Sequence, residues 1–383
     1  MFVDFDGEIL IPNGDVGDFA VVACDQFCSC PEYWTDLRAQ MPPQSALDLI
    51  LPECFLSDAE SRIADIKNAA SDMTKSGRFF AVRGAVAVTR TTAQGRTRRG
   101  VVAAIDLDAY DYTPHSTALI RASERTIEQR IPPRVTIREA IDVELPHILL
   151  LVDDRENALA RAVAASEKTT LYDGELRGGG GHVRGELISD TALLKKAAEA
   201  ITEASADKFG TRLFALVGDG NHSLATAKYC SIHHPTPQNG KALVEIVNIY
   251  DEGLIFEPIH RLVRTGDAND FIKCFKANVG GDAQTTLYAP TPVSVDVPSD
   301  KIDAIVAVDM FCEDYVSRHG GYVEYVHGDS LLVRDGHVGI KMRGVEKSEL
   351  FGYVIKNGVL PKKTFSMGEA TEKRYYVEAR KIK

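Results

Sequence analysis

Apolar residues recur along this chain in two periods, and the alternation between them outlines the fold. After Ser57-Asp58-Ala59-Glu60, which has the form of a capping box, Ile63, Ile66 and Met73 follow at helical spacing until Gly77. That spacing predicts an amphipathic helix. Phe79 to Thr89 is alternating and β-branched, and with Val101 to Leu107 it predicts a hairpin packed under that helix. Leu119 to Gln129 reads as helix, stopped by Pro132-Pro133, which lack the amide hydrogens a helix needs. Pro146 to Val152 predicts a short buried strand ending in Asp153-Asp154, and ligands of open α/β sheets often sit at such ends. Ser189 to Lys208 reads as a second amphipathic helix, with Leu193, Leu194, Ala197 and Ile201 on one face. Strand Leu213 to Val217, helix Ser223 to His233 and strand Leu243 to Ile249 then suggest a crossover unit. From Thr265 to Asp300 the chain turns polar and rich in Gly, Pro and Asp. Beyond it Ile302 to Met310 and Tyr322 to Val326 read as strands, and no internal repeat is visible.

A length of 383 residues predicts two domains or one elaborated domain. The patterning favours a mixed α/β (α+β) amino-terminal region over 1–265 and a smaller carboxyl-terminal α/β region over 266–383. Hydrophobic residues at 44% and charged residues at 26% are ordinary globular values. A net charge of -11, from 55 acidic against 44 basic residues, gives no general affinity for nucleic acid. The densest basic cluster, Arg96, Arg98 and Arg99, reads as the solvated tip of the hairpin. The cysteines, seven and scattered, point to reduced thiols and a cytoplasmic protein. Cys24, Cys28 and Cys30 lack the paired C-x2-C units of structural zinc sites. The start Met1 to Glu8 is acidic and has no secretory character, and no window approaches the roughly 18 apolar residues of a membrane span.

Chemistry concentrates in Gly218-Asp219-Gly220-Asn221-His222-Ser223, between a buried strand and a helix that Ser223 is placed to cap. A helix amino terminus presents free N–H groups and partial positive charge, and Gly220 lacks the β-carbon that would hold an anion off. Asp219 is suited to a magnesium ion or a proton, and His222 to proton transfer near neutrality. The plainer alternative is that Asp219 and Asn221 only shape a tight turn. Arg121 and Arg125, with Arg130, Arg134 and Arg138 beyond, would share a helix face as an anion fork; Glu124 and Glu128 on the adjoining face make a solvated ion-pair lattice the alternative. Gly178 to Gly181 lacks the Lys-Ser or Lys-Thr of a P-loop and reads as a mobile loop. Asp25 and Gln26 follow the apolar run Phe19 to Cys24 as polar groups at a strand end, while Trp34 beside Tyr33 reads as core. Glu257 and His260 stand three apart, but Pro258 argues against a helix there, and His233-His234 reads as a helix end.

Several stretches together resemble the domain-of-unknown-function family numbered 1015: Ala23-Cys24-Asp25-Gln26 with Pro31-Glu32-Tyr33-Trp34, Leu119 to Thr126, Glu257 to Arg261, and Lys363 to Ala370. Members typically carry Asp-Gly-His-His-Arg before a helix, and this chain resembles the branch reading Asp219-Gly220-Asn221-His222-Ser223-Leu224-Ala225-Thr226-Ala227. That segment looks like the nucleotide-phosphate motif of the ParB and sulfiredoxin superfamily, which includes CTP-hydrolysing partition proteins, sulfiredoxin and a free-serine kinase.

The resemblance implies a ParB/sulfiredoxin-like core with an additional hairpin, binding ATP or CTP with magnesium, as a phosphotransferase or nucleotide hydrolase acting on a small molecule. Asp219, His222 and Glu124 are then the catalytic candidates, and Asp219 the magnesium ligand. Gly218, Gly220, Asn221 and Ser223 would cradle the phosphate, with Arg121, Arg125, Arg130, Thr126, Asp25 and Gln26 as further ligand contacts. Two departures stand out: Ser223 occupies the place of a phosphate-gripping arginine, and Asn221 that of a histidine. Other branches read His-Glu-x-Thr at positions 123 to 126, where Glu124 and Thr126 match and Ser123 replaces the histidine. The missing arginine favours an alternative, a non-catalytic module for a small phosphorylated or carboxylate metabolite. A ParB-like DNA-associated role stands third, against the charge and the lack of a helix-turn-helix.

Overall fold

The computed structural model describes residues 1–23, 27, 31–52, 55, 58–289 and 291–383. It shows a mixed α+β protein that divides into two compact units, Met1–Leu254 with Ala370–Lys383, and Ile255–Glu369. The second unit begins at 255 rather than 266, and the last residues of the chain belong to the first unit.

In the first unit the elements run β1 (Val3–Asp4), β2 (Glu8–Pro12), α1 (Pro31–Gln40), α2 (Ala59–Lys75), β3 (Phe79–Arg83), β4 (Ala85–Thr91), β5 (Thr97–Asp106), β6 (Tyr110–Asp111) and β7 (Ile120–Ala122). They continue as α3 (Ile131–Ala140), β8 (Val143–Glu144), β9 (Leu149–Val152), α4 (Ala158–Ala165), β10 (Thr169–Leu176), β11 (Gly181–Ile188), α5 (Ala192–Phe209), β12 (Ala215–Asp219), α6 (Asn221–His233) and β13 (Lys241–Asn248). The main sheet has the order β10-β11-β4-β5-β13-β9-β12-β7-β6, with β1 on β5. Its inner strands are buried on both faces. Leu194, Ala197 and Ile201 of α5 and Leu159 of α4 pack with Val101, Ala103 and Leu150. On the other side Val86, Val102 and Leu243 pack with Ile9, Ile11 and Tyr375.

Several sequence expectations change here. The β4–β5 hairpin forms, with Val86 opposite Val102, but Ile66, Ala70 and Met73 of α2 face Phe19, Trp34 and Leu37 in a separate cluster rather than covering it. Residues 119–129 are not a helix: Ile120–Ala122 is a strand, and Pro132-Pro133 open α3 instead of ending a helix. Proline suits a first turn because its missing N–H would be unpaired there anyway. β12 runs antiparallel to β9, and β9 parallel to β13, so β12 and β13 are antiparallel and form no crossover unit. The glycine run 178–181 turns the β10–β11 hairpin, and Arg90 Nε donates to Gly180 O at 2.9 Å. Trp34 is core, as its neighbours suggested, with Nε1 donating to Phe27 O at 3.1 Å. Residues Phe19 to Val22 are no strand; Val21 makes a single bridge to Tyr376.

In the second unit β14 (Phe256–Arg264), α7 (Ala268–Asn278), β15 (Ala283–Tyr288), β16 (Pro292–Val297), α8 (Lys301–His319), β17 (Tyr322–His327), β18 (His337–Ile340), α9 (Lys347–Asn357) and β19 (Phe365–Met367) follow, and β20 (Arg380–Lys381) returns to the first. The sheet order is β16-β15-β18-β14-β17, with β19 on β14. The expected strand 302–310 is the start of α8. Asp300 caps it by accepting from the amides of Ile302 and Asp303, and Ile302, Ile305, Val308, Phe311, Cys312 and Tyr315 are buried at helical spacing. β-branched residues at the start of that run mimic a strand, and the period over its whole length decides. Glu257 and His260 lie on β14, where Pro258 is tolerated at the β19 edge.

The carboxyl-terminal segment is fixed to the first unit by buried charges. Arg374 Nε lies 2.9 Å from Glu245 Oε2 and Nη2 2.7 Å from Glu378 Oε2, and Tyr172 Oη donates to Glu378 Oε1. Arg98 Nε approaches Glu245 Oε1 at 3.4 Å, and Arg96 pairs with Glu372. The arginine cluster is therefore half-interior and not a solvated tip. Gly100 makes room for this: a β-carbon there would sit 2.5 Å from Glu245 Oε1. Removing one partner of a buried pair leaves an uncompensated charge, which costs about 3 kcal/mol or more. Glu245→Gln is expected to lower unfolding free energy by about that amount in urea denaturation; a change below about 1 kcal/mol would show the network to be energetically idle.

Candidate functional site

The site is assembled by strand direction. β7 and β12 pair in parallel, Ala122 opposite Val217, so the segments leaving their carboxyl ends, Ser123 to Thr126 and Gly218 to His222, emerge side by side. Ser123 Oγ donates to Val217 O, and the amide of Ile127 donates to His222 Nε2 at 3.1 Å, closing one exit against the other. β9 enters antiparallel on the other side of β12, with Leu149 opposite Asp219. Its preceding residues His147 and Ile148 thus reach the same edge.

α6 opens two residues earlier than Ser223. Gly220 is its cap, at φ +84°, with Leu224 N donating to Gly220 O at 3.0 Å. The positive φ favours glycine, and so does the space, since a β-carbon there would meet Ile148 Cγ1 at 2.9 Å and Ile148 Cα at 3.1 Å. A glycine cap has no side chain to accept from the first-turn amides of α6, those of Asn221, His222 and Ser223. Asp219 Oδ1 accepts from Gly220 N at 2.9 Å, and Asp219 Oδ2 lies 3.3 Å from Lys373 Nζ, the two side chains being 29% and 12% exposed. At this edge Thr126 Oγ1 and Asn221 Oδ1 are buried and have no hydrogen-bond partner among the described residues, and Thr126 as a residue is only 9% exposed. Leaving such groups unpaired costs free energy, which a ligand that pairs with them restores.

Glu124, Thr126, Gly218, Asp219, Gly220, Asn221, His222 and Ser223 are therefore brought to one edge by the chain. Arg121 is not: it is 5% exposed, with Nε donating to Ala118 O at 2.8 Å and Nη2 to Thr211 Oγ1 at 3.3 Å. Both partners precede the strands, so its guanidinium runs to the opposite end of β7 and β12. Arg125 and Arg130 are exposed and share no helix face with Arg121, because residues 119–127 are not helical. Asp25 and Gln26, like Cys24, Cys28 and Cys30, lie outside the described residues. The acidic pair after β9 serves structure: Asp154 accepts from the amides of Ala158 and Leu159, and Asp153 meets Lys208 and Tyr250. His233 ends α6, and His234 pairs with Glu139 at 3.1 Å.

Sequence reading missed Lys373 and His147. Lys373 lies on the far end of the chain, and only the return of residues 370–383 to the first unit brings it near Asp219. His147 Nδ1 lies 2.7 Å from Tyr376 Oη. Burial pushes the His147 imidazole below its ordinary value; the Asp219 carboxylate opposes that shift, while Arg374, Arg134 and Lys373 add to it. A cleft of about 890 Å³ opens elsewhere on this unit, bordered by Asp4, Asp108, Thr236 and Lys241.

Fold and turn together define a mixed α+β protein with a glycine-capped helix start at the end of a parallel strand pair. The chain belongs to the family described as "Protein of unknown function (DUF1015)", whose model matches residues 8–380. No curated protein matches the sequence. Among solved structures, a free serine kinase in complex with AMP is similar at 11% identity, over 72% of this chain and 90% of that chain, with a TM-score of 0.42. A conserved hypothetical protein from Pyrococcus furiosus matches at 11% identity over 73% and 95%, TM-score 0.40. SbnI with a C-terminal truncation, from Staphylococcus aureus, matches at 12% identity over 70% and 83%, TM-score 0.37. Likenesses of this size carry no argument about what this site holds. No helix among the described residues is long and apolar enough to cross a membrane.

The downward shift of His147 fixes a sign. The unfolded chain binds this proton more tightly than the folded one, so its stabilisation is complete above about 6.5 and is lost as pH falls below that value. His147→Gln is expected to flatten part of the fall in Tm between roughly pH 7 and 5; an unchanged slope would remove His147 from the titration.

Proposed function

We propose that the turn binds the phosphate groups of a nucleotide, ATP or CTP carrying magnesium, and that the protein transfers or hydrolyses the terminal phosphoryl group, acting on a small molecule. The observation that carries this reading is the glycine-capped start of α6 beside the buried, unpartnered hydroxyl of Thr126. Backbone amides, a partial positive charge and a hydroxyl donor converge there, which is what a phosphate requires. The Asp-Gly-x-His segment opening a helix also supports a ParB/sulfiredoxin-like architecture around the turn.

Magnesium fits only in a limited way. Among the described residues no group of three or more His, Cys, Asp or Glu side chains is arranged to hold a metal. Asp219 offers one carboxylate, and magnesium is commonly held by one or two carboxylates with substrate phosphates and water completing its shell. The ion would thus arrive with the nucleotide and supply charge neutralisation, with Asp219 as its protein ligand. The chain's own part is to orient: the amides of residues 221 to 223 set the phosphate, and Gly220 lets it approach. His222 holds its turn through Nε2, which accepts from Ile127, so its remaining proton sits on Nδ1. Glu124, on the segment that leaves β7 beside the turn, is the carboxylate assigned in this reading to take the proton of an acceptor hydroxyl.

A second reading has its own observation. His222 Nε2 is engaged by a backbone amide and both oxygens of Asp219 are engaged, which suits a non-catalytic module holding a phosphorylated metabolite.

Thermal-shift scans with ATP, ADP, CTP and pyrophosphate, with and without magnesium, are expected to raise Tm for at least one nucleotide. Phosphate release that vanishes in Asp219→Ala supports the enzyme; binding without turnover supports the module; no shift with any of the four contradicts the nucleotide reading. Thr126→Val gives an independent check. Replacing an unpaired buried hydroxyl by a methyl group is expected to raise the Tm of the free protein while weakening the ligand-induced shift. A fall in the free protein's Tm would mean that the hydroxyl has a structural partner.

A further inference from the structure

Resting on the phosphate-site reading, we propose that Lys373 is the cation that grips the bound phosphate, exchanging its contact with Asp219 for one with the ligand. The turn itself contains no cation, since Ser223 stands where an arginine would serve, and Arg121 is committed at the other end of its strand. Arg374 is buried and committed as well, to Pro146 O, Tyr375 O, Glu378 and Glu245. Lys373 alone of this group is half-buried and within ion-pair distance of the turn, at 3.3 Å from Asp219 Oδ2.

The flanking residues explain why this lysine can exchange partners without disturbing the fold. Glu372 is held by Arg96, Arg374 by two glutamates, and Tyr376 by His147, so the backbone at 373 is anchored on both sides. Only the four-carbon stem needs to swing. Asp219 keeps the amide of Gly220 when the lysine leaves, so its carboxylate is not orphaned. A phosphate carries more charge than a carboxylate and offers more acceptor oxygens, so the ammonium prefers the ligand once it has arrived.

This exchange makes Lys373 and Asp219 act in opposite directions on an anion when no metal is present. Asp219 competes with the ligand for the ammonium. Binding of ADP and of pyrophosphate is to be measured by calorimetry in EDTA, on the full chain, for wild type, Lys373→Met, Lys373→Arg and Asp219→Asn. Lys373→Met is expected to weaken binding about ten-fold or more, Lys373→Arg to retain most of it, and Asp219→Asn to tighten it several-fold. A circular dichroism spectrum and Tm for each variant show that it is folded, and Lys373→Arg reports on the charge if Lys373→Met is unstable. If Lys373→Met binds as wild type does, or if Lys373→Met and Asp219→Asn weaken binding alike, the lysine is only a tether for the aspartate and the assignment is wrong. If wild type binds neither anion in EDTA or with magnesium restored, the phosphate-site reading fails first and this inference with it; if it binds only with magnesium, the metal and not Lys373 supplies the cation and the assignment alone is wrong.

Discussion

The parallel pairing of β7 with β12 is the constraint on which the site depends. Two strands that end at the same level deliver two polar segments to one edge, where Ser123 ties to Val217 and Ile127 to His222. A slip of one residue would displace one segment by roughly 3.3 Å and turn its alternate side chains to the other face. Antiparallel pairing would send the two exits to opposite ends. The antiparallel entry of β9 then fills the third side with Ile148, against which Gly220 alone can fit.

A second constraint acts over a much longer stretch of sequence. Residues 370–383 return to the first unit, and a buried set of charges holds them there: Glu245 between Arg98 and Arg374, Glu378 between Arg374 and Tyr172, Glu144 between Arg138 and Arg380. Taking such groups out of water is expensive, and a well-packed apolar set of equal volume would often be as stable. What apolar packing would not supply is a fixed place for Lys373 beside Asp219. The network is positional: Arg374 lies between Glu245 and Glu378, which fixes the place of the residues beside it.

Much of the architecture is legible in the sequence because period and burial agree over long runs. α2, α5, β9, β12, β13 and β17 follow the expected patterns closely, since each has a single apolar face or a short wholly apolar core. The failures have identifiable physical causes. Ile302, Ile305 and Val306 look like strand residues until Asp300 is recognised as a cap and the burial of Phe311, Cys312 and Tyr315 extends the helical period. Residues 119–129 contain good helix formers, yet β7 lies next to β12, and tertiary pairing outweighs propensity over so short a segment. At the site, the turn 218–223 is readable as polar residues following an apolar strand, whereas Glu124 and Thr126 are reached only through the family resemblance, because their segment reads as helix and the strand before them is a finding of the structure. Arg121 was misjudged because a supposed helical spacing gave it the wrong direction, and Lys373 was unreadable because nothing local links residue 373 to residue 219.

In the reading proposed above, the first turn of α6 receives a phosphate. A crystal structure of the protein soaked with ADP and magnesium tests it most directly. The account predicts phosphate density within hydrogen-bond distance of the amides of residues 221 to 223, with Thr126 Oγ1 on the same group. Density seated instead in the cleft bordered by Asp4 and Lys241, or a turn unchanged and water-filled at saturating nucleotide, would contradict it.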